Sequence, residues 1–368
     1  MKDFLTCTPT VFAIGKEYEI VLSLKTFGLC FLKIGNTLYY EENSGVLPSE
    51  RRVLKIRVPQ AALNAAKEYE VIFRETNERK RYWSEFFPPV SQKFAFKPLA
   101  KKDDIRIYYL SDVHNCFEEA KAASTYFGEE TDLFLFNGDM SEPMAEQNYL
   151  RVLRFMGEVT GGEIPAVMAR GNHDTRGRLA ECYTEYFPAN AKKTYYTFEI
   201  GPIFGIALDF GEDKLDICPE YDSSKDTPQE YLGINRFHAY REQELAFLKT
   251  VQPQKDKFTL ILTHVCPAMV TKGIGGEFDI DRPIYAAISA ELDRIAPDLM
   301  LCGHYHTPFL LSPEDTQNIN PHAYPIVMGA TQSKENFSGS AVHLKGKTVE
   351  IAFTDTAHKV LERFTLDI

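Results

Sequence analysis

The first hundred residues carry short runs of β-branched, aromatic or alternating residues, separated by turns that contain glycine or asparagine. Runs of this kind predict β-strands, and several short strands at this spacing favour a small β-sandwich. The strands are predicted at residues 11–14, 19–24, 30–34, 38–40, 53–58 and 69–75. Pro88-Pro89 and the basic stretch 97–102 are typical of a linker. We therefore predict a first domain over residues 1–100.

The pattern changes after residue 102, where continuous apolar runs alternate with segments of helical spacing. Strands are predicted at residues 105–110, 133–136, 166–169, 194–200, 204–209, 258–262, 299–302, 324–328, 340–344 and 348–353, and helices at 117–127, 143–159, 237–251 and 284–295. Buried strands that alternate with helices indicate an α/β layered domain. We assign it to residues 101–368, so that the whole chain is α/β with a small all-β sandwich in front.

Five short polar motifs follow the ends of five of these strands. Ligands in layered α/β domains bind at the carboxyl ends of strands, so the motifs are expected to converge on one rim. Each motif alone is weak, because such residues are common in turns. Together, in this order and each after a predicted strand, they indicate one site. The motifs are Asp112-Val113-His114, Gly138-Asp139, Gly171-Asn172-His173-Asp174, His264 and Gly303-His304-Tyr305-His306.

The residue types in the motifs indicate a metal site. Asp112 and His114 are two residues apart, as are His304 and His306, so each pair can point to one side of an extended segment. Oxygen and imidazole ligands without thiolates suit Mn, Fe or Zn rather than a structural cysteine site. A carboxylate such as Asp139 can bridge two cations. Two ions about 3.5–4 Å apart can clamp a phosphate and ionise a water.

The same set of motifs resembles the calcineurin-like metallophosphoesterase superfamily, over residues 105–353. The resemblance implies a layered β-sandwich flanked by helices and two divalent metal ions. It also implies hydrolysis of a phosphomonoester or phosphodiester by metal-activated hydroxide. One ion would be held by residues matching Asp112, His114, Asp139 and His306, and the second by those matching Asp139, Asn172, His264 and His304. His173 would contact the phosphate or protonate the leaving oxygen, and Asp174 would help to set the local charge.

A β domain in front of the catalytic domain also resembles the layout of purple acid phosphatases. Those enzymes use a tyrosine ligand shortly after the Gly-Asp motif. Here the motif is followed by Met140, Ser141, Glu142 and Pro143, and the next tyrosine is Tyr149. The sequence therefore argues against the purple ferric centre and favours a divalent pair.

Composition and charge limit the classes of binding partner that we expect for this protein. The chain has 44% apolar and 25% charged residues and a net charge of −11, so a broad basic surface for duplex nucleic acid is not expected. Seven cysteines without a CxxC pair favour a reducing compartment. The first ten residues lack the apolar core of a signal peptide, and no run is long enough to span a bilayer. We expect a cytoplasmic protein that acts on a small phosphorylated substrate away from membranes.

Several interpretations stay open. Lys214, in the polar segment 208–214, could meet phosphate or lie in a solvated loop, and Arg170 could contact phosphate or form a salt bridge. His238, His322, His343 and His358 lack the strand-end context, and Cys116 and Cys266 favour packing. The competing function is a non-catalytic scaffold of the same fold, against which the complete set of seven ligand positions argues. The N-terminal strands could bind a partner or a glycan, or they could cover one side of the active site.

Overall fold

The computed structural model describes residues 3–100, 103–142, 144–212, 235–269, 282–329 and 333–368. Lys214 and Cys218 lie outside these residues. The described strands form sheets of nine, six and five strands. The helices of the described residues are α1 Gln60–Ala66, α2 Phe117–Ser124, α3 Glu146–Thr160, α4 Tyr183–Tyr186, α5 Phe237–Thr250 and α6 Arg282–Ile295.

The nine-stranded sheet has the order β20-β19-β18-β9-β10-β11-β1-β2-β5. Its centre is parallel, because β9, β10, β11 and β1 run in one direction, while the strands on both sides are antiparallel. The strands are β1 Thr10–Ile14, β2 Glu17–Ser23, β5 Val53–Pro59, β9 Ile105–Leu110, β10 Leu133–Asn137, β11 Ala166–Ala169, β18 Ser338–Lys345, β19 Thr348–Asp355 and β20 Val360–Asp367.

The six-stranded sheet has the order β12-β13-β14-β15-β17-β16. The strands β13, β14, β15 and β17 are parallel, and β12 and β16 add antiparallel edges. The predicted hairpin of residues 194–209 is formed by β12 and β13. The strands are β12 Tyr196–Ile200, β13 Ile203–Leu208, β14 Phe258–Thr263, β15 Leu299–Cys302, β16 Phe309–Leu311 and β17 Ile326–Met328.

The two large sheets pack face to face. One apolar core joins Leu135 and Val167 of the first sheet to Leu260 and Leu301 of the second. A second core packs α2 and α3 on the outer face of the nine-stranded sheet, and a third packs α5 and α6 on the outer face of the six-stranded sheet. Apolar residues on both faces of the central strands explain their continuous apolar sequence. The predicted layered β-sandwich flanked by helices is confirmed.

The N-terminal strands divide between two sheets. The five-stranded sheet consists of β3 Gly28–Ile34, β4 Thr37–Tyr39, β6 Glu68–Arg79, β7 Ser84–Phe86 and β8 Val90–Ala95. The remaining strands, β1, β2 and β5, continue the nine-stranded sheet, with Phe12 of β1 aligned to Ala166 of β11. One sheet thus crosses the boundary expected near residue 100. The division into residues 1–100 and 101–368 stays a prediction about folding units.

Sequence periodicity misplaced some elements. Strand β8 was not predicted; it lies between Pro88-Pro89 and the basic stretch 97–102, and its backbone pairs with β6. Helix α5 buries Arg241 and Glu244 besides Leu248. Its helical spacing instead predicts an inner face made of Phe237, Tyr240, Leu245 and Leu248. Strand β20 was missed because most of its residues are exposed and none is buried. Among the described helices, none combines the length and apolarity needed to cross a membrane.

Candidate metal centre

The loops after β9, β10, β11, β14 and β15 meet at the carboxyl ends of both large sheets. Backbone hydrogen bonds join neighbouring loops. The N–H of His114 donates to the carbonyl of Asp139 at 2.9 Å, and the N–H of Gly303 donates to the carbonyl of His264 at 3.0 Å. The N–H of His304 donates to the Asp112 carboxylate at 3.0 Å. The structure therefore brings all five predicted motifs together.

The predicted ligands stand on strained backbone. Asp112, His114, Asp139, His304 and His306 all have positive φ angles, between 43° and 73°. Non-glycine residues rarely adopt this region, and outliers of this kind cluster at functional sites. The spacing of Asp112 and His114 was expected to act through an extended segment. That expectation was wrong, because left-handed turns rather than a strand aim these side chains.

Asp112, His114 and His306 form one group that could hold a metal ion. Nε2 of His306 lies 3.2 Å from Oδ1 of Asp112, and Nε2 of His114 lies 3.6 Å from Oδ2 of Asp139. The His114 side chain is only 4% exposed, yet neither of its ring nitrogens makes a hydrogen bond within the described residues. A buried imidazole without hydrogen bonds is costly, and a metal ion would satisfy it.

Asp112, Asp139 and His264 form a second such group. Nε2 of His264 lies 3.0 Å from Oδ2 of Asp139. The opposite ring nitrogen, Nδ1, lies 2.7 Å from the carbonyl oxygen of Asn137. A backbone partner of this kind fixes the ring and directs the other nitrogen towards a metal.

Asn172 and His304 complete this second group. The side-chain oxygen of Asn172 lies 3.1 Å from Nδ1 of His304 and 3.2 Å from Nε2 of His264. The same oxygen lies 3.3 Å from Oδ2 of Asp139. These atoms can all serve as ligands of one cation. The donor set therefore fits a cation bound by oxygen and imidazole ligands.

The charges of the second group also fit a bound cation. Burial opposes the charged form of His264, but Asp139 and Asp112 outweigh it and raise the pKa of this imidazole to about 10. Although burial opposes their charged forms as well, His264 lowers the pKa of both carboxyl groups. A proton on His264 and a metal ion are alternatives here, because either one balances the two buried carboxylates.

His173 and Asp174 occupy different places. The His173 side chain is 22% exposed at the rim of the site. The backbone N–H of His173 donates to Oδ1 of Asp139 at 2.9 Å. The Asp174 carboxylate is fully buried and accepts hydrogen bonds from the N–H groups of Gly171 at 2.9 Å and Asp139 at 3.0 Å. Burial and the neighbouring Asp139 raise the pKa of Asp174 to about 7. The catalytic part expected of Asp174 stays a prediction, and in the structure this side chain holds the loops of Gly171 and Asp139 from behind.

Sequence reasoning missed three charged residues beside His173. Oε2 of Glu142 lies 2.6 Å from Nδ1 of His173. Arg176 follows on the same loop, and its guanidinium contacts both the imidazole and the buried Glu212. Glu142 and Arg176 are each three residues from a motif residue, and this spacing was the available signal. Glu212 lies in the polar segment 208–214, and the position of this segment after a strand was the available signal.

The structure also shows the contacts of other residues whose role the sequence left undecided. Arg170 forms a salt bridge with Asp209 at 2.8 Å. His322 is buried, with Nδ1 2.7 Å from the carbonyl oxygen of Tyr324. Tyr149 donates from its hydroxyl to the carbonyl of Leu179 at 2.6 Å, away from the ligand loops. The remaining histidines lie against other groups, namely His238 near Glu242, His343 near Asp104 and His358 near Thr125.

A cavity of about 550 Å³ opens beside His304. Tyr305 and Phe309 line it with an edge-to-face pair of rings whose centroids are 6.5 Å apart. Met269 and Leu310 add apolar surface, and Gln317 adds a polar group. A cavity of this composition next to polar ligands is typical of a binding site for a small molecule.

Comparisons with solved structures show what the fold resembles. The purple acid phosphatase PPD1 from yellow lupin (Lupinus luteus) seeds superposes with a TM-score of 0.65 at 13% identity, over 98% of this chain and 74% of that one. A structure of PhoD gives a TM-score of 0.55 at 10% identity, over 100% of this chain and 90% of that one. At these identities the likeness concerns the fold. No curated protein matches the sequence.

The sequence itself also matches a family model. The model is described as calcineurin-like phosphoesterase, and it matches residues 105–308, which is more than half of the chain. The matched range includes all seven predicted ligands, from Asp112 to His306. Both the fold and the sequence match agree with the resemblance that the five motifs carry. The chain belongs to the calcineurin-like phosphoesterase family.

Proposed function

We propose that this protein is a phosphoesterase that uses two divalent metal ions to hydrolyse a small phosphorylated substrate. The observation that carries the proposal is the convergence of two groups of buried donor atoms on Oδ2 of Asp139. This oxygen lies 3.6 Å from Nε2 of His114 in the first group and 3.0 Å from Nε2 of His264 in the second. A carboxylate shared in this way is suited to bridge two ions.

Each ion would have its own donor set. Asp112, His114, Asp139 and His306 would hold one ion, whereas Asp139, Asn172, His264 and His304 would hold the other. Bound ions of this kind clamp phosphate oxygens and lower the pKa of a water molecule to about 7, which supplies a nucleophile near neutral pH. Oxygen and imidazole donors suit Mn, Fe or Zn, and the first tyrosine after Asp139, Tyr149, is bonded elsewhere.

The chain's own residues would do the remaining work. His173, at the rim, would contact the phosphoryl group and give a proton to the leaving oxygen, while Glu142 keeps the imidazole in place from the opposite nitrogen. Asp174 would hold the loops of Asp139 and Gly171 together. The cavity at Tyr305 and Phe309 would receive the organic part of the substrate.

A phosphate-release screen tests the proposal. Protein stripped of metal and then loaded with Mn, Fe or Zn would be given 4-nitrophenyl phosphate, bis(4-nitrophenyl) phosphate, nucleotides, sugar phosphates and phosphopeptides. We expect release with at least one metal and none in the stripped protein. No turnover with any metal, in protein shown to hold the ions, would favour the scaffold function.

A further inference from the structure

Arg176 is tied to the buried carboxylate of Glu212. Its Nε lies 2.6 Å from Oε2 and its Nη2 lies 2.7 Å from Oε1, so the two groups form a bidentate pair. Glu212 is 1% exposed, whereas Arg176 is 21% exposed at the rim. Two parallel hydrogen bonds fix the plane of the guanidinium and so determine where its remaining nitrogen points.

The remaining nitrogen, Nη1, points at His173. It lies 3.0 Å from Nε2 and 3.1 Å from Nδ1 of the imidazole. The imidazole is in turn backed by Glu142 at 2.6 Å from Nδ1. The guanidinium therefore lies against the imidazole at the mouth of the metal centre, with Glu212 behind the guanidinium and Glu142 beside the imidazole, where its Oε1 lies 4.0 Å from Nη1.

This arrangement suits an anion. A buried salt bridge adds little to stability by itself, because removing both charges from water costs about as much as their attraction returns. Stability is thus a weak reason for placing the Arg176–Glu212 pair here. A guanidinium held in place at the mouth of the centre, next to donors for two cations, would instead bind phosphoryl oxygens with little reorganisation.

Phosphomonoesters and phosphodiesters differ in the oxygens and the charge that they would present to Arg176. A phosphomonoester has three terminal oxygens and carries close to two negative charges near neutral pH, whereas a phosphodiester has two terminal oxygens and one charge. An arginine beside the metal centre can pair with the additional oxygen, which only the monoester has. Its permanent charge also favours the more highly charged ester.

We propose that Arg176, held by Glu212 beside His173, binds a terminal oxygen of the substrate phosphoryl group and thereby makes the enzyme prefer phosphomonoesters to phosphodiesters. The inference rests on the proposed phosphoesterase function. It makes Arg176 a binding residue and Glu212 a positioning residue.

Paired variants test the assignment. Arg176→Lys keeps the charge but loses the bidentate pair, and the double variant Arg176→Gln/Glu212→Gln removes both charges together, so that no buried carboxylate is left unpaired. Arg178→Gln, at an exposed position two residues further on, is the control. The measurements are KM and kcat for 4-nitrophenyl phosphate and bis(4-nitrophenyl) phosphate, the inhibition constant of inorganic phosphate, the metal content and the Tm.

In the double variant we expect KM for the monoester and the inhibition constant of phosphate to rise by about 10- to 100-fold, the loss of one charged hydrogen bond. KM for the diester and the metal content should stay near those of the control. Arg176→Lys should raise KM for the monoester and the inhibition constant of phosphate by a smaller factor. If the double variant does not fold, the results for Arg176→Lys test the assignment of Arg176. Equal changes for both esters, or no change relative to Arg178→Gln, would overturn the assignment.

The outcome for wild type separates the two proposals. If the metal-loaded wild type turns over no substrate of the phosphate-release screen, the proposed function fails. Calorimetric titration of the loaded protein with inorganic phosphate then decides on Arg176 alone. Weaker binding to the double variant than to wild type supports the assignment, and equal binding contradicts it.

Discussion

The carboxylate of Glu142 lies 2.6 Å from Nδ1 of His173, on the side of the ring away from Nε2. Glu142 comes three residues after Asp139, so the loop that carries the shared metal ligand also carries the partner of the rim histidine. The carboxylate holds the ring in place while remaining outside both sets of metal ligands proposed above.

We predict that Glu142→Gln lowers kcat by about 10- to 100-fold without a change in metal content, because a neutral amide holds the imidazole less firmly than the carboxylate does. Steady-state kinetics together with metal analysis measures both quantities. Glu142→Asp should recover part of the loss, and Glu146→Gln, at an exposed acid four residues along, should leave kcat unchanged. A Glu142→Gln variant with wild-type kcat would show that His173 does not depend on this carboxylate.

Gly138 shows how tightly the ligand loops are packed. A Cβ at this position would lie 2.5 Å from the Cα of Gly171 and 2.8 Å from Nδ1 of His264, and the φ angle is +73°. We expect Gly138→Ala to lower the free energy of unfolding by about 1–3 kcal/mol more than backbone strain alone would, and to reduce metal binding. Denaturant unfolding and metal titration check this.

Gly346→Ala is the matched control for Gly138→Ala. Gly346 also has a positive φ angle, +60°, but a Cβ there would meet nothing within 4 Å. It should therefore show only the backbone cost of about 1 kcal/mol and bind metal normally. Equal destabilisation of the two variants would mean that the loops can move apart to accept a methyl group.

Glu244 on α5 gives the fold a dependence on pH. Burial, with Asp209 nearby, raises its pKa well above the ordinary value, although the N–H of Asp209 and the cations Arg241 and Arg170 oppose the shift. A carboxyl group with a raised folded pKa contributes stability that is complete below its ordinary value, about 4.3, and is lost as pH rises towards the folded pKa.

The side chain of the Glu244→Gln variant does not titrate. In the wild type the backbone N–H of Asp209 donates to Oε1 of Glu244 at 2.6 Å, and the amide oxygen of the variant can still accept this hydrogen bond. We predict that its stability relative to wild type increases with pH, by up to about 1.4 kcal/mol per unit between the two pKa values. Urea unfolding from about pH 5 to pH 8 measures the trend. Glu242→Gln, at an exposed site of the same helix, should show none. A Glu244→Gln difference that stays constant or shrinks would contradict the assignment.

The sequence was informative where chemistry and local pattern coincide. The ligand residues followed predicted strands, and parallel strands bring their carboxyl ends to one edge, so Asp112 and His264 could be placed together although 152 positions separate them in the chain. The left-handed turns at Asp112 and His114 could not be predicted, because they arise from hydrogen bonds between loops that are distant in sequence.

The residues around the ligands were harder to identify. Arg176 reaches Glu212 from another loop, and the local sequence of neither residue shows that the two side chains pair. The buried pair Arg241 and Glu244 contradicts the apolar pattern expected of the inner face of a helix, since their partners come from the segment after β13. Tertiary hydrogen bonds of this kind override local hydrophobic periodicity.

The most direct test of the two-metal centre is the metal content and turnover of Asp139→Asn beside wild type. The asparagine keeps the shape but removes the charge that both proposed sites share. The account predicts about two ions per chain and hydrolysis of 4-nitrophenyl phosphate for loaded wild type, and at most one ion with turnover lower by at least about a hundredfold for the variant. Two bound ions and wild-type turnover in Asp139→Asn would contradict it.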